Sequence, residues 1–264
     1  MLELKNISKT FNAGTVNEKV ALNNVNLKLE KGDFVTIIGG NGAGKSTLLN
    51  AIAGLWLPDH GSIVIDGVDI TDMPEYKRAK FLGRVFQDPR MGTATDMWLE
   101  ENLALARRRG KRRTLRWAIS RKERDEYREM LKQLDLGLED RLTVKMGLFS
   151  GGQRQAVTLL MATMNNPKVL LLDEHTAALD PKTASKVLAL TDKFITENNL
   201  TALMITHNMK DAINYGNRLI MMNAGSIILD ISGEEKKKLT VEALLEKFAI
   251  ASGTEFTNDR ALLG

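Results

Sequence analysis

Phe34-Val35-Thr36-Ile37-Ile38-Gly39-Gly40-Asn41-Gly42-Ala43-Gly44-Lys45-Ser46-Thr47-Leu48-Leu49-Asn50-Ala51-Ile52 is the stretch that decides the fold. Residues 39–46 fit G-x-x-x-x-G-K-[ST], the phosphate-binding loop pattern. The apolar run 34–38 reads as a buried strand and 46–52 as a helix, which is the context the pattern requires. Glycines are needed because backbone N–H groups must curl around phosphate oxygens, where a Cβ would intrude. The helix start adds its positive dipole end, Lys45 a mobile cation, and Ser46 a hydroxyl for Mg²⁺. Gly39, Gly40, Asn41, Gly42, Ala43, Gly44, Lys45, Ser46 and Thr47 are therefore expected to hold a nucleoside triphosphate. A glycine-rich turn with no ligand would not need the Lys-Ser pair.

At 264 residues the chain accommodates one large domain, or a core with a subdomain. It has no cysteine, which excludes disulfides, thiol nucleophiles and thiolate metal sites. Met1-Leu2-Glu3-Leu4-Lys5 lacks the layout of a signal peptide, and no apolar run approaches the roughly eighteen residues of a membrane span. The expectation is a soluble or peripheral protein in the cytoplasm. The net charge of +4 is unevenly placed. Between Arg107 and Arg128 eleven cations face three carboxylates, a local +8. A solvated helix face explains this, and so does contact with anionic lipid or an acidic partner loop. Nucleic acid is less well supported, since only Trp117 and Tyr127 are there to stack on bases.

Residues 2–7, 25–29 and 61–67 alternate at period two and predict strands, with a further short one at 83–87. From about 91 to 149 the pattern turns helical and charged, with Tyr127, Met130, Leu131 and Leu134 forming one apolar stripe. That stretch is the expected inserted helical subdomain. Strands at 169–172, 202–206, 219–222 and 226–231 follow. They alternate with a helix begun by Asp180-Pro181 and running toward Asn198. Val241, Leu244, Leu245 and Phe248 predict a last amphipathic helix, and the final dozen residues read as loosely held. Alternating strands and helices around a phosphate loop argue for a mainly parallel α/β sheet.

Four further features narrow the chemistry. The strand 169–172 ends in Asp173-Glu174: Asp173 is placed to hold Mg²⁺, and Glu174 to orient or deprotonate a water. Ser150-Gly151-Gly152-Gln153 opens an apolar helix. Ser150 and Gln153 match a capping box, yet two glycines in a first turn cost helix stability and imply that something approaches closely. Both that helix start and the Ser150 hydroxyl also suit a phosphate. His207 follows a buried strand where its ring could reach a γ-phosphate, and Gln87 ends another where its amide oxygen could ligate Mg²⁺.

In this order and spacing the set resembles the ATP-binding cassette (ABC) ATPase family, over about residues 1–235. Residues 39–46 match Walker A, Gln87 the Q-loop, 149–153 the signature, 170–174 Walker B, 178–180 the D-loop, and His207 the switch histidine. Phe149, His175 and Ala177 depart from the family's usual leucine, proline and serine without removing a catalytic group. The resemblance implies an α/β P-loop NTPase (RecA-like) core, with an antiparallel β subdomain and an inserted α-helical subdomain at about 91–150. Residues 236–264 would form a short helical extension. It implies ATP and Mg²⁺ as cofactors, Lys45, Gln87, Glu174 and His207 as catalytic residues, and Ser46, Gln87 and Asp173 as metal ligands. Phe11 would stack on adenine, although it also fits a core position. The resemblance further implies a head-to-tail dimer of two copies, with Ser150, Gly151, Gly152, Gln153 and Asp180 of one copy completing the other's ATP site.

A single cassette without a span looks like the separate ATPase subunit of an importer. Its partners would be membrane permease subunits and an extracytoplasmic binding protein, at the cytoplasmic face of the plasma membrane. There is some likeness to uptake systems for tryptophan or tyrosine. The rival is a soluble ABC ATPase acting on DNA or ribosomes. No long coiled coil separates Walker A from the signature, and only one cassette is present, so nucleic acid is not expected as a partner.

Overall fold

In the computed structural model, which describes residues 1–111 and 119–252, the period-two alternation of the first third runs further than its apolar pattern suggests. Strands β1 (Leu2–Phe11) and β2 (Lys19–Leu29) pair antiparallel from Leu2↔Leu29 to Phe11↔Lys19. Strand β4 (His60–Ile65) lies on the other side of β1, followed by the two-residue β5 (Val68–Asp69). This separate sheet has the order β2-β1-β4-β5.

The second sheet carries the chemistry. Its strands are β3 (Phe34–Ile38), β6 (Leu82–Val85), β7 (Val169–Asp173), β8 (Ala202–Ile205), β9 (Arg218–Asn223) and β10 (Ser226–Ser232), in the order β10-β9-β3-β8-β7-β6. All pairs are parallel except β9 with β10. β3 and β8 are buried at every position, which is why they read as continuous apolar runs rather than alternating ones. Helix α1 (Lys45–Ala53) fills the space between the sheets, with Leu48, Leu49 and Ile52 in one core with Leu4, Leu22, Ile63 and Ile37. The fold is that of a P-loop NTPase.

The end of α1 is held by a residue the sequence pattern does not flag. Arg78, at the end of the short helix α2 (Glu75–Arg78), is fully buried. It donates to the carbonyls of Ala51 (2.7 Å), Ile52 (3.0 Å), Met73 (2.6 Å) and Thr71 (2.7 Å). A cation there answers both the orphan carbonyls and the negative dipole end of the helix whose other end forms the phosphate loop.

The described part of the stretch 91–149 is less helical than its sequence suggests. Helices α3 (Leu99–Arg107) and α4 (Arg121–Lys132) account for its described helix, apart from a single turn at Met146–Leu148. Residues before α3 stay in turns because the buried Asn102 side chain accepts from Ala94 N (2.7 Å) and donates to the Ala94 and Trp98 carbonyls. The stripe on α4 does face inward: Tyr127 and Leu131 are buried against α5 (Gly151–Thr163), with Met130 and Leu134 beside them.

Among the described residues, five cations of the basic segment are held within the chain. Arg107 pairs with Glu126, Arg108 with Glu123 (3.1 Å), Arg124 with Glu100 (2.7 Å) and Arg128 with Asp125 (2.8 Å). Arg109 donates to the Ala162 carbonyl at 3.1 Å. Arg112, Arg113, Arg116 and Trp117 lie outside the described residues.

At the far edge, α9 (Val241–Ser252) lays Leu244 and Phe248 against Ile38, Leu219, Met221 and Ile231. Between β10 and α9, on the short helix α8 (Gly233–Lys237), Lys236 is buried and donates to the carbonyls of Ile213, Tyr215 and Gly216, closing the end of α7 (Met209–Asn214). Among the described residues no helix is long and apolar enough to cross a membrane. The expected loose end at 253–264 falls outside the described residues.

Candidate functional site

The phosphate loop leaves β3 and turns into α1 at the carboxyl edge of the parallel sheet, where open α/β folds collect their ligands. Gly39, Gly42 and Gly44 all take positive φ (148°, 79° and 99°). A Cβ on Gly39 would stand 2.2 Å from the Met222 carbonyl oxygen, and one on Gly44 2.5 Å from that of Ala21. Only glycine meets both demands at once. Lys45 is buried, and its Nζ donates to the carbonyls of Gly39 (2.7 Å) and Gly40 (3.0 Å). Burial pulls its ammonium below the usual lysine value, while the Glu174 and Asp173 carboxylates pull the other way. Asn41, Gly42 and Ser46 are exposed, Gly40 and Thr47 half-buried, Ala43 buried.

Strand register brings the acidic pair to this loop. Asp173 is level with Ile205, and Ile205 with Ile37 of β3. The Ser46 hydroxyl sits 3.4 Å from Asp173 Oδ1. Glu174 follows in the left-handed region (φ 48°), strained for a residue other than glycine or asparagine, and its N–H donates to the Ile205 carbonyl at 3.1 Å. That turn aims its carboxylate along the sheet edge, where Oε1 lies 2.5 Å from His207 Nε2. Gln87 lies two residues past the end of β6, exposed. Residue pairs far apart in sequence thus meet at one edge: Ser46 with Asp173, and Glu174 with His207.

Two side chains beside this edge carry no sequence motif. Arg84, alone among the apolar residues of β6, donates to Asn50 Oδ1 of α1 (2.6 Å) and lies 3.5 Å from Asp173 Oδ2, with its guanidinium 4.5 Å from the centre of the Phe86 ring. Burial lowers its affinity for its proton, opposed by Asp173. It bridges the phosphate-loop helix to the acidic strand. His175 is fully buried, with Nε2 2.9 Å from Thr191 Oγ1. Thr191 already donates to the Val187 carbonyl, so the ring donates and stays neutral; burial lowers its pKa to about 4.

The signature residues occupy another flank of the chain. Ser150 caps α5, accepting from Gln153 N (3.2 Å), while its own N–H donates to Gln153 Oε1 (3.1 Å). This is the reciprocal box expected from the sequence. What approaches the glycine pair within the chain is α6 (Pro181–Glu197) and the turn before it: a Cβ on Gly152 would stand 2.1 Å from Thr183 Cγ2, and one on Gly151 3.3 Å from Leu179 Cδ2. Asp180 caps α6, accepting from Thr183 N at 3.1 Å, and hydrogen bonding from the Thr183 side chain and backbone holds its carboxyl below the usual range. Among the described residues no hydrogen bond joins Ser150, Gly151, Gly152 or Asp180 to the phosphate loop.

Phe11 is half-buried at the end of β1, outside the described apolar cores, its ring meeting Trp56 edge-on (centres 5.2 Å apart, planes at 82°).

Residues 22–177 match the family model described as "ABC transporter". The chain belongs to the ABC transporter family. It is 47% identical over 251 residues to the tyrosine transport ATP-binding protein of Clostridioides difficile, spanning 95% of this chain and all of that one. It is 33% identical to the energy-coupling factor transporter ATP-binding protein EcfA2 of Clostridium perfringens, covering 95% of this chain and 85% of the relative. Among solved structures it is similar to the dimeric post-hydrolysis state of the ATP-binding cassette MJ0796 bound to ADP and Pi. The TM-score there is 0.75 at 33% identity, covering 88% of this chain and 98% of that one. This ABC transporter subunit binds and hydrolyses ATP.

The site fits Mg-ATP on its own terms. Three glycines clear a cradle that Cβ atoms would fill, and the donors beside it, Ser46 and Asp173, offer oxygen only, as Mg²⁺ prefers. Among the described residues no cluster of three His, Cys, Asp or Glu forms a metal cage.

Proposed function

We propose that this subunit powers uptake of a small polar solute, with an aromatic amino acid of the tyrosine class as the leading cargo, through a separate membrane permease. The observation that carries the hydrolytic half is the meeting of Ser46 with Asp173 and of Glu174 with His207 at one sheet edge. Glu174 is the general base, its carboxylate aimed by the strained turn and by His207. Lys45 exchanges its two carbonyl partners for phosphate oxygens. Ser46 and Asp173 hold the metal, with Gln87 as a further ligand brought in by movement of its exposed segment. When bound, Mg²⁺ neutralises charge on the phosphates. No protein nucleophile is needed, so rate comes from positioning and charge. Phe11 stacks on the base.

The signature residues and Asp180 are best used by a second copy. They lie on α5 and α6, apart from their own phosphate loop, and two solved structures of the similar cassette MJ0796 are dimeric. A head-to-tail pair would set Ser150, Gly151, Gly152 and Gln153 over the partner's nucleotide. The permease side is supported by Met91, Trp98 and Leu148, large and exposed. They sit in two segments laced together by Met146 N to Met97 O (2.9 Å) and Gly147 N to Thr95 O (2.8 Å). Peripheral attachment at the cytoplasmic face follows from that partner. An extracytoplasmic binding protein belongs to the same reading.

The test is affinity capture of tagged protein from gently solubilised native membranes, followed by mass spectrometry. A polytopic membrane protein in near-equal amount supports the transport reading. Recovery with ribosomes or nucleic acid from the soluble fraction overturns it and leaves the ATP site standing.

A further inference from the structure

Lys19 begins β2 and faces Phe11 directly across the β1–β2 ladder. It is exposed, and no described residue shares a hydrogen bond or ion pair with its side chain. Its neighbour Glu18 is occupied, accepting from Gly14 N at 2.6 Å. What Lys19 does approach is the crown of the phosphate loop: a methyl group placed on Gly42 would stand 3.5 Å from Lys19 Nζ, with no other described atom within 4 Å beyond Gly42 and its two chain neighbours. The loop's own cation, Lys45, is buried beneath and bonded to Gly39 and Gly40. One cation therefore underlies the loop and a second, unpaired one overhangs it. The overhanging one lies on the strand that also fixes the position of Phe11.

We propose that Lys19 is a further nucleotide-binding residue, its ammonium engaging a phosphate oxygen of the bound nucleotide from above the loop. This rests on the phosphate loop's holding the nucleotide. The chemistry is a point charge on a flexible stem, which suits a phosphate oxygen better than a base edge. Lys19 is the ladder partner of Phe11, the residue proposed to stack on the base, so the contact falls on the phosphates nearest the ribose. Those are present in ADP as well as ATP. An exposed charge pair of this kind is strongest at low ionic strength.

The experiment is isothermal titration of the full chain with ADP and with a β,γ-imido analogue of ATP, for wild type, Lys19→Met and Lys19→Arg, in about 50 mM and about 500 mM salt. Lys19→Met is expected to weaken both nucleotides by about three- to tenfold at low salt and by less at high salt, with Lys19→Arg close to wild type. Binding of both nucleotides within about twofold of wild type overturns the proposal, because a merely solvated lysine has that effect. A deficit that does not change with salt also overturns it, since lost packing rather than lost charge would then be the cause. Lys45→Ala serves as the control: undiminished binding there would unseat the phosphate loop itself, an outcome distinct from failure at Lys19.

Discussion

Two glycine-rich stretches mark this protein, and they are glycine for different reasons. In 39–44 the backbone demands it: positive φ at three positions, with carbonyl oxygens of β9 and β2 standing where Cβ atoms would go. At 151–152 the backbone is ordinary helix, and neither glycine has a positive φ. There the obstacle to a Cβ is the side chain of Thr183 on α6. The first stretch is shaped for a ligand by its own main chain. The second is shaped by packing, which lets α5 and α6 meet closely and holds the caps Ser150 and Asp180 on neighbouring helix starts.

The comparison can be broken at its catalytic end first. Glu174→Gln should retain nucleotide binding while turnover falls about a hundred- to ten-thousandfold, measured as phosphate release against equilibrium binding. It should also accumulate as a dimer with ATP on gel filtration. Wild-type turnover would remove Glu174 from the base position.

Next in size is Gly44→Ala. It meets both a positive φ and a carbonyl at 2.5 Å, so stability should fall by about 2–4 kcal/mol and nucleotide affinity by more than about tenfold. No side-chain substitution nearby should restore it, because the obstacle is main chain.

Gly152→Ala offers the contrast. Overpacking against Thr183 should cost about 1–3 kcal/mol in urea denaturation. Thr183→Ser, which removes Cγ2 and keeps the hydroxyl, should recover most of that loss in the double variant. Additive losses would show that the glycine is there for its backbone after all.

The smallest effect is expected at His175, which ties the residue after Glu174 to α6. Its folded pKa of about 4 lies below an unfolded value of about 6.5, so the unfolded chain binds more protons between them. Stability from this group is complete above about pH 6.5 and is lost as pH falls, by about 1 kcal/mol at about pH 5.5. Denaturation midpoints of wild type and His175→Gln across that window should diverge in slope; parallel curves would mean the ring is not held neutral.

Much of this was legible in the chain itself, and unevenly so. Residues 34–52 state a strand, a tight loop and a helix in contiguous order, and Asp180-Pro181 states a helix start, since both depend on neighbours within a few positions. The acidic pair 173–174 and His207 were readable as strand ends, although the 2.5 Å contact between Glu174 and His207 depends on register in a parallel sheet. Before Leu99 the charge-rich composition resembles an exposed helix, while Asn102 binds the backbone of 94–98 in turns.

The sequence alone determined the family, the phosphate loop and the order of the elements, because each is encoded by short-range spacing and local backbone preference. Only the tertiary structure decided that Arg78 closes the phosphate-loop helix, that Arg84 joins it to Asp173, that Thr183 fills the space left by Gly152, and that most described arginines near 107–128 are paired within the chain. Arg78 finds Ala51 across 27 positions and Arg84 finds Asp173 across 89. A charged side chain in a sequence carries no mark of whether its partner will be water or a distant carbonyl, and only packing settles that.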